Sequence, residues 1–154
     1  MAYRYDLLEP NTDRNKAIDD LTSAIGILYA ESWNRDKEST YKRPFSLNFA
    51  AFTQLWFSNA LKLFVAYDDD KPVGFLIGMV FRPLPYDASV FQVEDWYSAG
   101  IDEIERGLFD YAMQALRFIG CDEVWVADKV DRSPAAMKGW KETNTFLYHR
   151  FTKE

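Results

Sequence analysis

The stretch SAGIDEIERGLFDYAM, residues 98–113, follows a β-rich run and opens a helix. A helix N-terminus presents backbone N–H groups without internal partners and the positive end of the helix dipole, so a turn leading into one is suited to hold an anion. Gly100 and Gly107 flank the region, and a glycine lets backbone approach a ligand closely. Asp102, Glu103 and Glu105 crowd the same turn. Asp102 and Glu105 have the spacing of a capping box, in which acidic side chains bond the helix's own first amides. On that reading the helix caps itself and its carboxylates repel phosphate.

Other reactive side chains are sparse. Cys121 is the only cysteine, so the chain forms no internal disulfide, and its place before a β-like run marks a buried structural thiol. His149, the only histidine, lies on an alternating strand near the C-terminus and reads as a surface residue, so no Ser-His-Asp or Cys-His arrangement can be built on it. Asp68, Asp69 and Asp70 lack the following Gly and distal Glu of a calcium loop and read as a solvated turn. No metal site is expected.

The elements that must position these residues follow from periodicity. Tyr3–Leu8 reads as a first strand closed by Pro10. Ala17, Ile18, Leu21, Ala24, Ile25, Leu28, Tyr29 and Trp33 form a helical stripe over Asp13–Trp33. A polar loop, Asn34–Pro44, leads to a second helix from Ser46 to about Ala60. LFVAYDDDKPVGFLIGMVF is a hairpin about an acidic turn, RPLPYD breaks the sheet, and SVFQVEDWYS supplies another strand. Ile101, Ile104, Leu108, Ala112, Ala115 and Ile119 recur at helical spacing up to Gly120, a natural stop. CDEVWVAD then reads as a strand parallel to the one before the helix. SPAA starts a last helix, and TFLYHRFT closes as a strand. The order β-α-α-β-β-β-α-β-α-β predicts an α/β (α+β) fold, a mixed central sheet of about six strands with helices on both faces, in one domain over residues 1–154.

The totals narrow the function classes. A net charge of −6 argues against nucleic acid and against an anionic membrane surface. No apolar run is long enough to span a bilayer and the N-terminus does not read as a signal peptide, so the expected location is the cytoplasm. Twelve Phe, nine Tyr and five Trp exceed what a minimal core needs. Most belong to the core, leaving a few for a groove or an interface.

The element order, with three local patterns, resembles the GNAT superfamily, the Gcn5-related N-acetyltransferases, over nearly the whole chain. KPVGFLIGMV looks like its third strand, leaving a hairpin through Gly74. IERGLFDYAMQALRFIGCDEVWV looks like its central helix, Gly stop and fifth strand, and SPAAMKGWKETNTF like its last helix. The resemblance implies acetyl-CoA at the N-terminus of the central helix, cradled by a Q/R-x-x-G-x-G/A loop. Here Ile104 falls between the two motif glycines, so Glu103 and Glu105 replace them, while Arg106 and Gly107 could support a shifted loop. The cofactor-contacting positions it implies are Tyr97, Ser98, Gly100, Arg106, Gly107 and Ser133. The family's tyrosine acid is matched by Trp140, whose indole is no useful acid. Ser133, Ala136, Asn144 and Thr145 match the neighbouring motif positions.

Acetyl transfer to an amine needs a base near the fourth strand, where Glu94 and Asp95 stand, one of which alternation should turn to solvent. Asp128 ends the next strand, and Tyr148 could replace the missing acid. Two readings follow. In one, the chain has the fold without catalysis and acts by binding a protein partner. Its small size, aromatic excess and weak motifs resemble the divergent members carried by tailed bacteriophages, which act in the virion or on host targets. In the other, it is an acetyl-CoA-dependent N-acetyltransferase acting on an amine of a small molecule or protein.

Overall fold

A computed structural model describes residues 2–10, 26–31, 48–85, 87–127, 141–142 and 146–151. Its elements are β1 (Arg4–Leu8), helical residues 26–31 (α1), α2 (Phe49–Phe57), β2 (Leu61–Asp68), β3 (Lys71–Phe81), β4 (Val90–Tyr97), α3 (Asp102–Phe118), β5 (Glu123–Ala127), β6 (Lys141–Glu142) and β7 (Phe146–Arg150). The strands form one seven-stranded sheet in the order β1-β2-β3-β4-β5-β7-β6. It exceeds the expected six by β6, a two-residue strand inside the stretch SPAAMKGWKETNTF that resembles the last GNAT helix. The start of the first helix, the polar loop at 34–44, and Asp128, Ser133, Ala136, Trp140, Asn144 and Thr145 lie outside the described residues.

The acidic hairpin forms as expected, with Asp69 at φ 51° in the two-residue turn between β2 and β3. All described neighbours pair antiparallel except β4 and β5. That parallel pair needs a crossover, and α3 supplies it. Each face of the sheet has its own core. Ile104, Leu108, Phe109, Ala112 and Leu116 of α3 bury against Phe64, Leu76, Phe91, Val93 and Trp96 on one face. On the other, Phe52 and Trp56 of α2 pack with Leu63, Val65, Phe75 and Ile77, joined by Leu28 and Tyr29 of α1. Helices therefore cover both faces.

The helix ends follow local chemistry. Asn48, not Ser46, caps α2 by accepting from the Ala51 amide at 3.2 Å. Asn59, at φ 65°, stops the same helix, while the amides of Asn59 and Ala60 return to the carbonyls of Trp56 and Leu55. Gly120, at φ 95°, does the same for α3, with the amides of Gly120 and Cys121 bonded to Arg117 and Leu116. Cys121 is buried, and burial pushes its thiol pKa up, in keeping with a structural role.

Candidate functional site

The parallel pair β4–β5 is tied at one end and open at the other. Where the strands begin, the Ser89 amide donates to Asp122 Oδ2 at 2.9 Å and the Asp122 amide to the Ser89 carbonyl at 2.8 Å. Pairing runs from Val90↔Glu123 to Val93↔Val126 and stops there. Beyond Val93, no described strand takes over the β5 side of β4. The carboxyl ends of parallel strands are where open α/β sheets place ligands.

Pairing stops at a bulge. Gly78 of β3 faces Val93, and Ile77 faces Asp95, so Glu94 is the extra residue. A one-residue insertion reverses which face each later side chain takes. Phe91, Val93 and Trp96 therefore all point to the α3 face, while Tyr97, stacked on Phe75 with ring centroids 6.4 Å apart, belongs to the α1/α2 face. Asp95 goes with it. Its carboxyl is 0% exposed, and Oδ1 accepts from the Trp96 amide at 2.9 Å. Tyr29 lies near enough for its phenol pKa to be pushed up to about 12, chiefly by burial, then by the charges of Asp95 and Glu94. Glu94 is exposed. The two adjacent carboxylates are thus divided, with Glu94 free to meet a solute and Asp95 built into the sheet.

The turn after β4 leads directly into α3. Ala99 and Gly100 have φ of 52° and 75°, and the Ile101 amide donates to the Ser98 carbonyl at 2.9 Å, as in a type I′ turn. A side chain at Gly100 would meet nothing within 4 Å, so the backbone there is open. Ser98 is itself buried.

The expected capping box does not form. The N-cap is Ile101, which has no side-chain cap bond, because the helix starts one residue earlier than the motif requires. Asp102 is the first helical residue, and its carboxylate and that of Glu103 are exposed. Glu105 is half-buried and accepts from Trp96 Nε1 at 3.3 Å instead of bonding back to the cap. The amides of Ile104 and Glu105 reach the Ile101 carbonyl, whereas those of Asp102 and Glu103 have no acceptor among the described residues. The helix end is open, and its acids flank it without closing it.

Other sequence-derived positions fall elsewhere. Gly107 faces Tyr5 from within α3, where any side chain would overlap the tyrosine ring. The Tyr5 hydroxyl donates to the Glu103 carbonyl at 3.2 Å. Gly107 is thus a packing glycine, and the shifted phosphate loop it would serve is not there. Arg106 is exposed on α3. The Tyr97 hydroxyl donates to Glu31 Oε2 at 3.0 Å, away from the β5 edge. Tyr148 pairs with Trp125 and His149 with Val124 on the far side of β5, so β5 separates them from β4. Ser133 lies outside the described residues. No group of three or more His, Cys, Asp or Glu among the described residues could hold a metal, and no described helix is long and apolar enough to cross a membrane.

No family model and no curated protein matches the chain. Solved structures do. An acetyltransferase of the GNAT family from Brucella melitensis, in complex with acetyl-CoA, is 13% identical, with 98% of this chain and 90% of that one covered at a TM-score of 0.68. The fold is that of the GNAT acetyltransferases. An N-acetyltransferase from Staphylococcus aureus Mu50 is 14% identical over 96% of this chain and 98% of that one, with a TM-score of 0.68. An aminoglycoside acetyltransferase from an uncultured soil metagenomic sample, in complex with sisomicin, is 20% identical over 99% and 96%, with a TM-score of 0.67. Within the GNAT fold described here, the stop in β4–β5 pairing, the bulge at Glu94 and the open end of α3 adjoin one another along a single stretch, residues 93–103.

Three site features escaped the sequence. The bulge leaves no compositional mark, and only the pairing partner reveals the extra residue. The role of Tyr29 depends on contacts between α1 and β4. The partnership of Trp96 with Glu105 was visible only as a strand-end tryptophan nine residues before an acid.

Proposed function

We propose that the chain binds an acyl-CoA thioester at the carboxyl end of β4 and transfers the acyl group to an amine. The observation that carries this reading is the coincidence of the place where β4–β5 pairing stops with the uncapped amides of Asp102 and Glu103. The fit to the donor is good in the backbone and opposed in charge. The amides and the open turn at Gly100 suit a pyrophosphate, while the Asp102 and Glu103 carboxylates weaken its binding by roughly 0.3–1 kcal/mol each. When bound, the donor supplies an activated acyl carbonyl. Ser98, Ala99 and Gly100 shape the turn beside it, just past the point where β4 parts from β5.

Glu94 acts as general base in this reading. It takes the proton that the amine loses as nitrogen bonds to the acyl carbon and the carbon–sulfur bond breaks. Asp95, buried and bonded to the Trp96 amide, holds the bulge that presents Glu94. The departing thiolate takes its proton from solvent.

A second reading, a non-catalytic protein that binds a protein partner, is favoured by Phe118, 92% exposed, with Ile119 beside it at the end of α3. It no longer draws support from a self-capped helix. Calorimetric titration with acetyl-CoA and CoA separates the two. Micromolar binding is expected, and no heat at millimolar ligand would overturn the transferase reading.

A further inference from the structure

A groove of about 440 Å³ lies on the α1 side of the sheet, between α1, the start of β3 and the turn after β4. It lies on the β3 side of β4 and adjoins the β4–β5 opening through the turn at Ala99 and Ile101. Its size is that of a small-molecule site, about 300–1,000 Å³ in most proteins. Ile27, Val73 and Ile101 give it apolar walls, and Ile27 and Ile101 are exposed there. Tyr97 presents its ring to the groove and is held from two sides, by its stack on Phe75 and by its hydroxyl bond to Glu31.

Two charged groups of opposite sign share this lining. Glu31 carries the carboxylate, oriented by Tyr97, and its Oε1 bonds nothing among the described residues. Lys71 carries the ammonium and has no ion pair or hydrogen bond among them. The two do not pair with each other within 4.0 Å, the reach of a salt bridge. Opposite charges in one apolar groove, held apart, complement a ligand that brings one charge of each sign joined by an apolar body. A purely cationic ligand would face Lys71, and a purely anionic one would face Glu31.

We infer that this groove binds an amphipathic zwitterion of short-peptide size, its ammonium on Glu31, its carboxylate on Lys71 and its apolar side chains along Ile27, Val73 and Ile101. The inference does not rest on the transferase reading: Ala99 and Ile101 belong to the turn that reading gives to the donor, but the charged groups that carry the inference, Glu31 and Lys71, do not, and its test uses no CoA. The probes are leucyl-leucine, its C-terminal amide and its N-acetyl form, titrated into the full chain without CoA and followed by backbone amide NMR. Leucyl-leucine is expected to shift the resonances of residues 27–31, 71–73 and 97–101. Each blocked form should bind about tenfold more weakly, the loss expected for one charge-assisted contact. Glu31→Gln should erase the penalty for blocking the amine and Lys71→Met the penalty for blocking the carboxylate. Both positions are exposed, and an unchanged amide spectrum away from the groove verifies folding. Equal binding of all three probes, or no shift in the groove at millimolar peptide, overturns the inference.

Discussion

At its C-terminus α3 closes on itself: Gly120 and Cys121 return two amides to the carbonyls of Arg117 and Leu116. At its N-terminus the amides of Asp102 and Glu103 find no acceptor among the described residues, and the N-cap is an isoleucine. One helix thus has a finished end and an unfinished one. The finished end adjoins the start of β5, where Ser89 and Asp122 tie the parallel strands together. The unfinished end adjoins the place where those strands part. The transferase reading places its ligand at the unfinished end, where these exposed amides are open to solvent or to an anion.

The sharpest attack on this comparison goes through Glu94. Glu94→Gln should lower acetyl transfer by roughly a hundredfold at unchanged acetyl-CoA affinity. Wild-type turnover in that variant would remove Glu94 from the chemistry while leaving the open helix end intact. A gentler change gives the N-terminus what the C-terminus already has. Ile101→Ser supplies a neutral cap hydroxyl, which should stabilise the fold by about 1 kcal/mol in urea unfolding. It should also weaken acetyl-CoA binding, because the hydroxyl competes for the same amides. Stabilisation with undiminished affinity would mean the donor sits elsewhere.

Smaller again is the charge effect. Asp102→Asn combined with Glu103→Gln should tighten acetyl-CoA severalfold, and wild-type affinity should rise with added salt as the repulsion is screened. A wild-type affinity that falls with salt would show attraction at the site instead.

The smallest effect concerns how the bulge is held. Tyr29 has its pKa raised to about 12, first by burial and then by Asp95 and Glu94. The fold therefore favours the neutral phenol. That contribution is complete below the unfolded value near 10 and is lost as pH rises from there towards 12. Tyr29→Phe should lose less stability than wild type across that window, by on the order of 1 kcal/mol, as read by urea unfolding at its two ends. Parallel pH profiles for the two proteins would mean that Tyr29 is neither buried nor close to the carboxylates.

Much of the architecture was legible because it repeats. The middle of the stripe (Ile104, Leu108 and Ala112, though not its exposed ends Ile101 and Ile119), the acidic hairpin and the strand on either side of α3 are periodic features, and periodicity survives tertiary folding. The site was less legible because it depends on single-residue offsets. Asp102 and Glu105 have the spacing of a capping box, but the helix begins at Asp102 itself, and a shift of one position turns a cap into an exposed first-turn acid. Glu94 and Asp95 read as ordinary alternation, yet the bulge sends Asp95 to the face opposite Val93. Asn59 shows the same limit in a gentler form. An asparagine tolerates a positive φ, but nothing in its neighbours announces that it ends α2.

The one parallel pair among the described strands also bears on how the molecule assembles. β2 and β3 are joined by a two-residue turn and can meet early, whereas β4 and β5 meet only after the whole of α3 has been laid across the sheet. Contacts distant in sequence are slow to form, because the chain loses entropy before they repay it. By the same measure the opening beside Glu94 takes shape after the β2–β3 hairpin. Until α3 docks, the β5 side of β4 is simply an exposed edge, available to any other extended chain.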